Sequence, residues 1–136
     1  MQPRINIITL GTKDLPRATA FYVDGLKFPK MDFAGNISFF TLNGSWLALY
    51  PWELLAQDAQ IAAAGSGFRG VTLAHNVSCE DEVIALLDQA KHAGANIVKP
   101  AQKTDWGGFS GYFADLDDHL WKVAHNPFFW PGPKDE

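Results

Sequence analysis

The sequence predicts an α+β chain of two βαβββ modules, with a cupped mixed sheet and helices on its outside. Three observations carry this. Short β-branched or aromatic runs are bounded by turn residues, two amphipathic stretches open with helix-start signals, and the order strand, helix, strand, strand, strand occurs twice. An offset of 64 residues, which sets Asp14 over Ser78, also sets Ile7 over Val71, as an internal duplication would. With 136 residues and 47% hydrophobic content, the chain has material for one core-forming domain.

Module one spans about residues 4–50. Its first strand is "RINIITL", Arg4 to Leu10, ended by Gly11. Asp14 is a helix N-cap, Pro16 is tolerated in the first turn, and Leu15, Ala18, Phe21 and Tyr22 recur at helical spacing up to Gly25. Three strands follow, at about Phe28 to Phe33, Ile37 to Leu42 and Trp46 to Tyr50, separated by "AGN" and "NGS". The Asn43–Gly44 pair favours the positive φ angles of a tight hairpin turn.

Residues 51–70 read as a connector with a helical turn or two. Module two, about residues 71–125, begins with the strand "VTLAHNV", and Ser78 with Asp81 forms a start resembling a capping box. Val83, Leu86, Leu87 and Ala90 supply the buried face of the next helix, and Gly94 follows its end. Strands at about Asn96 to Ala101, Gly108 to Ala114 and His119 to Ala124 complete the module, and the Pro-rich tail covers 126–136.

Composition narrows the function. Net charge is −4 and no Lys/Arg run could track a phosphate backbone, so nucleic acid is not an expected partner. No apolar stretch reaches the roughly 18 residues of a membrane span, and "MQPRINIITL" lacks the features of a signal peptide. A cytoplasmic protein is expected. The single cysteine, Cys79, has no second thiol for a disulfide or a CxxC site, and its place beside Ser78 is structural. Gly-rich phosphate loops, GxSxG and HExxH are all missing from the sequence.

Three segments carry a family resemblance: "TLGTKDLPRATAFYVDGLKF", "FRGVTLAHNVSCEDEVIALLDQAKHAGANIVKP" and "DWGGFSGYFADLDDHLWKVAHNPFF". In this order they resemble the vicinal oxygen chelate superfamily, which includes glyoxalase I, extradiol dioxygenases and the bleomycin-resistance proteins. The resemblance covers nearly the whole chain. It implies paired βαβββ modules, a homodimer, and a pocket in each module pair that usually holds a divalent metal. By the resemblance, the metal ligands, typically His or Gln and Glu, fall on Ile7, Ala48, Val71 and Lys122. Ile, Ala and Val offer no donor atom and Lys is a cation at neutral pH, so no metal and no cofactor are expected. Shifting the register by one residue brings in Asn6, Thr72, Trp121 or Val123, which are weak ligands or none.

Lys122 therefore stands where the resemblance implies a glutamate. A fixed positive charge there suits a carboxylate, phosphate or enolate oxygen, or it serves as a base; alternatively its stem packs on the sheet and its ammonium reaches solvent or a dimer interface. Strand alternation puts Trp46 and Tyr50 on the side of Ala48 and sends Trp121 to the core. Trp106, beside two glycines, and Phe33 with Phe39 are further candidates to line a pocket, or simply to fill it.

The histidines do not make a metal set. His75 shares Val71's face about 13 Å further along the strand, where it could rim the pocket. His92 suits a helix C-terminus, and His119 and His125 flank the last strand. Asp115, Asp117 and Asp118 crowd one turn without the spacing of a calcium loop, so a solvated β-turn is expected. The ligand-binding set is Trp46, Tyr50, Trp106, Lys122, His75 and Phe39. The functional expectation is a metal-independent protein that binds a partly aromatic or anionic small molecule. The alternative is a glyoxalase-like lyase, isomerase or dioxygenase, working through a divalent metal or through Lys122.

Overall fold

Strand β1 (Ile7–Thr12) begins later than expected and runs through Gly11 instead of stopping there. The glycine is needed for packing: a Cβ on Gly11 would lie 2.9 Å from the ring of Trp52. The computed structural model describes residues 1–135. The chain divides into one unit of residues 1–67 and a second from Phe68 on.

In the first unit, Asp14 caps α1 (Leu15–Ala20) by accepting the Arg17 N–H at 3.1 Å, and Pro16 occupies the first turn. The helix then widens into a π turn (Phe21–Gly25), closed by the Leu26 N–H on the Phe21 carbonyl. This turn seats Tyr22, fully buried, against Phe21, Phe28 and Phe40. Burying a ring of this size contributes roughly 1.5–3 kcal/mol. Strands β2 (Ser38–Phe40) and β3 (Trp46–Pro51) complete a sheet of order β1-β3-β2, in which β1 and β3 are parallel and β2 and β3 antiparallel. Helix α2 (Trp52–Ala59) follows β3 directly.

The expected strand at 28–33 does not form. Pro29 has no N–H to donate, and Phe28 is drawn into the aromatic cluster, its ring centroid 5.6 Å from that of Tyr22. Only an isolated bridge, Lys30 with Phe40, remains. The Asn43–Gly44 reversal is also looser than a two-residue hairpin turn, since of that pair only Gly44 takes a positive φ, 91°.

In the second unit, β4 (Leu73–Asn76), β5 (Asn96–Lys103), β6 (Phe109–Ala114) and β7 (Leu120–His125) form a sheet of order β4-β7-β6-β5. The β4–β7 pair is parallel and the others are antiparallel. Helix α3 (Glu80–His92) packs on β5, β6 and β7 through Val83, Leu87 and Ala90, the 3.6-residue stripe of the sequence. Its N-cap is Cys79, which makes no side-chain capping bond, and it is Glu82, not Asp81, that reaches back: the Ser78 N–H donates to Glu82 Oε2 at 3.1 Å. Phe113 and Trp121 stack with ring centroids 6.1 Å apart beneath α3, and Val123 beside them is fully buried. Both sheets are mixed, and the fold class is α+β. No helix among the described residues is long and apolar enough to cross a membrane.

Candidate functional site

Residues that pair across neighbouring strands share a face of the sheet, so the register assigns each side chain to a side. On β7, Trp121 and Val123 face α3 while Lys122 faces away from it. Lys122 pairs with Ala74 of β4 on one side and Tyr112 of β6 on the other. The small Ala74 leaves one flank of the lysine stem uncrowded. Lys122 Nζ lies 5.5 Å from the centroid of the Trp106 ring, a cation–π contact. No carboxylate of the described residues pairs with it.

Trp106 is held by the turn between β5 and β6. Thr104 N–H donates to the Gly108 carbonyl at 3.0 Å, and Gly108 N–H donates back to Thr104 Oγ1 at 2.9 Å. Gly107 takes φ 97°, a left-handed value that glycine adopts without strain. The Trp106 ring folds flat onto Gly108, where a Cβ would sit 2.0 Å from ring carbon Cη2. Two glycines thus set the ring beside the lysine, and with Trp106 44% exposed its outer surface stays open to a ligand.

The first unit presents its own face opposite α1. Trp46, Ala48 and Tyr50 alternate onto it along β3, joined by Ile7 and Thr9 of β1 and Phe39 of β2. Phe33 packs edge-on against Phe39 with ring centroids 5.4 Å apart. This surface is aromatic and carries no charge, unlike the cationic face of the second unit.

His75 does not stand with Lys122. It pairs with Val123, so it lies on the opposite side of the sheet, and Val71 precedes β4 altogether. The expectation that both face the pocket fails by one residue of register. The β4 positions on Lys122's face are Ala74 and Asn76. His125 Nδ1 is 3.2 Å from the Val77 carbonyl oxygen and His92 Nδ1 is 2.9 Å from that of Asp88. The expected β-turn forms, with the Asp118 N–H on the Asp115 carbonyl and Asp118 exposed, but Asp115 itself is 6% exposed and its Oδ1 accepts the N–H groups of Asp117 and His119, each at 2.9 Å.

The residues present do not suit the divalent metal that the resemblance implies. On the two faces described, first-strand positions offer Ile7, Thr9, Ala74 and Asn76, and last-strand positions offer Ala48, Tyr50, Lys122 and Ala124. A catalytic zinc or iron site needs about three N, O or S ligands. Among the described residues, no three His, Cys, Asp or Glu side chains come together as a metal-binding group.

A shallow groove of about 520 Å³ lies elsewhere, between α3 and β5, lined by residues including Ile84, Leu87, Ile97 and Pro100. It is on the other side of the sheet from Lys122. The sequence reading missed Tyr112, the neighbour of Lys122, because its strand shows no signal beyond alternation. It also missed the part played by Gly108, although "WGG" pointed to this turn.

Residues 4–123 match the glyoxalase/bleomycin resistance protein/dioxygenase superfamily. A glyoxalase-related enzyme from Fulvimarina pelagi is 34% identical, with 96% of this chain and 93% of that one covered and a TM-score of 0.85. The fold is shared with a fosfomycin resistance protein from Listeria monocytogenes, at 24% identity, 94% and 97% coverage and a TM-score of 0.72. It is shared too with lactoylglutathione lyase from Agrobacterium tumefaciens, at 18% identity, 95% and 98% coverage and a TM-score of 0.70. On the extent of the match and the 34% identity, the chain belongs to the glyoxalase/bleomycin resistance protein/dioxygenase superfamily.

Proposed function

We propose that this protein binds a small anionic, partly aromatic molecule without a metal, and that Lys122 and Trp106 are its anchor. The single observation that carries this reading is Lys122: an ammonium with no carboxylate partner, held 5.5 Å from an exposed indole. A fixed cation supplies the charge that a bound metal would otherwise bring to an anionic ligand, and the indole offers a flat apolar surface. The aromatic face of the first unit, with Trp46, Tyr50 and Phe39, is proposed as a ligand-binding surface in its own right. The exposed Phe128 and Phe129 support assembly as a homodimer, which light scattering would measure, and the cytoplasm is the proposed location.

Titration of tryptophan fluorescence with aromatic carboxylates, in chelator-treated buffer, tests the binding reading. Lys122→Gln should weaken the best ligand about tenfold or more, since a charge-assisted hydrogen bond contributes roughly 1.5–3 kcal/mol. Unchanged affinity would refute the role of Lys122.

One observation favours a second reading. The Fulvimarina pelagi relative is described as a glyoxalase-related enzyme, so turnover by a lyase, isomerase or dioxygenase route is the alternative. Product formation from substrates of those classes, lost in Lys122→Gln, would establish it.

A further inference from the structure

Strand β5 departs from regular pairing at the place that matters for Lys122. Ile97 pairs with Phe113 and Lys99 with Tyr112, so two steps along β5 match one along β6 and Val98 is the extra residue of a bulge. In an unbroken strand Lys99 would share the face of Ile97, toward α3. The bulge turns Lys99 onto the face of Tyr112 and Lys122. Gly111 permits this, because its missing Cβ leaves room for the Lys99 carbonyl oxygen at 2.8 Å and the Ala101 nitrogen at 3.0 Å. A second irregularity follows between Lys99 and Gln102, a stretch that includes Pro100, which has no N–H to give to the ladder.

The result is a row of donors on adjacent strands: Lys122 on β7, Tyr112 on β6 and Lys99 on β5. Neighbouring strands lie about 4.8 Å apart, so the two lysines stand roughly 10 Å apart at the backbone, astride the phenol. None of the three has an ion-pair or hydrogen-bond partner for its side-chain polar atom among the described residues. Lys103, on the α3 side of the same strand, behaves differently and pairs with Glu80 Oε2 at 3.0 Å. Two unpaired cations and a hydroxyl on one face form a donor set with no internal acceptor.

Resting on the reading of Lys122 as an anion anchor, we infer that the ligand is a compact dianion whose two negative charges are shared between Lys122 and Lys99 across Tyr112. A phosphate monoester or a phosphonate centred over the phenol, or a short dicarboxylate with its groups about 5 Å apart, meets this spacing. The shared chemistry is two charges close together.

Benzoate, isophthalate and phenyl phosphate, titrated at pH 8 against the full chain, share one ring and differ in charge. At least one of the two dianions should bind ten times more tightly than benzoate or better, and the one that does distinguishes dicarboxylate from phosphate. Lys99→Gln should collapse that preference to within about threefold while leaving benzoate affinity unchanged, and Lys122→Gln should weaken all three. If the dianions match benzoate, or if their preference survives Lys99→Gln, the inference is overturned while an effect of Lys122→Gln still upholds the anchor. If none of the three binds, both are overturned.

Discussion

Gly111→Ala probes the packing that lets β5 bulge. The added Cβ would lie 2.6 Å from Leu87 Cδ1, 2.8 Å from the Lys99 carbonyl oxygen and 3.0 Å from the Ala101 nitrogen. The Leu87 methyl could yield by a change of rotamer, but Leu87 is 6% exposed on the buried face of α3, and the other two atoms are backbone. Overpacking of this kind costs about 1–3 kcal/mol, and contact with backbone on two sides points to the upper half of that range. Replacing glycine recovers about 0.4–1 kcal/mol by restricting the unfolded chain. The net loss is roughly 1.5–2 kcal/mol, or a fall in Tm of about 5–8 °C for a chain of this size. Thermal unfolding followed by circular dichroism measures it. A Tm within about 2 °C of the parent, or above it, would refute the argument that Gly111 is there for the approach of β5.

Two further substitutions separate the site from the scaffold. Gly108→Ala should push the Trp106 ring off its seat and away from Lys122, changing the tryptophan emission spectrum and weakening an anionic aryl ligand, with Tm shifting by less than about 2 °C because the ring is a movable side chain at the surface. Asp115→Ala should instead be a stability defect: it removes the acceptor of the Asp117 and His119 N–H groups in a half-buried turn, at a cost of about 1–3 kcal/mol visible as a lower urea midpoint, and Asp115→Asn should recover part of it.

What the sequence made legible follows local periodicity. The α3 stripe of Val83, Leu87 and Ala90 repeats every helical turn, and the β7 alternation sends Trp121 inward and Lys122 outward, so both can be read without tertiary information. The absent strand at 28–33 could not be read so simply, because Phe28 is recruited by Tyr22 and Phe40, which belong to other elements. His75 was misplaced for a related reason. Its face is fixed by pairing with Val123 on β7, and a single residue of register reverses it. The bulge at Val98 is likewise hidden in "NIVKP", where simple alternation puts Lys99 on the wrong face. Local pattern identified Lys122, and only the strand register shows which residues stand beside it.

Lys122 is proposed to take the place of a metal. Elemental mass spectrometry on protein purified without chelator or nickel resin, then reconstituted with Zn, Fe, Mn and Ni in turn and desalted, measures this directly. Each metal should remain far below one equivalent per chain. One equivalent of any of them, retained after desalting, would contradict it.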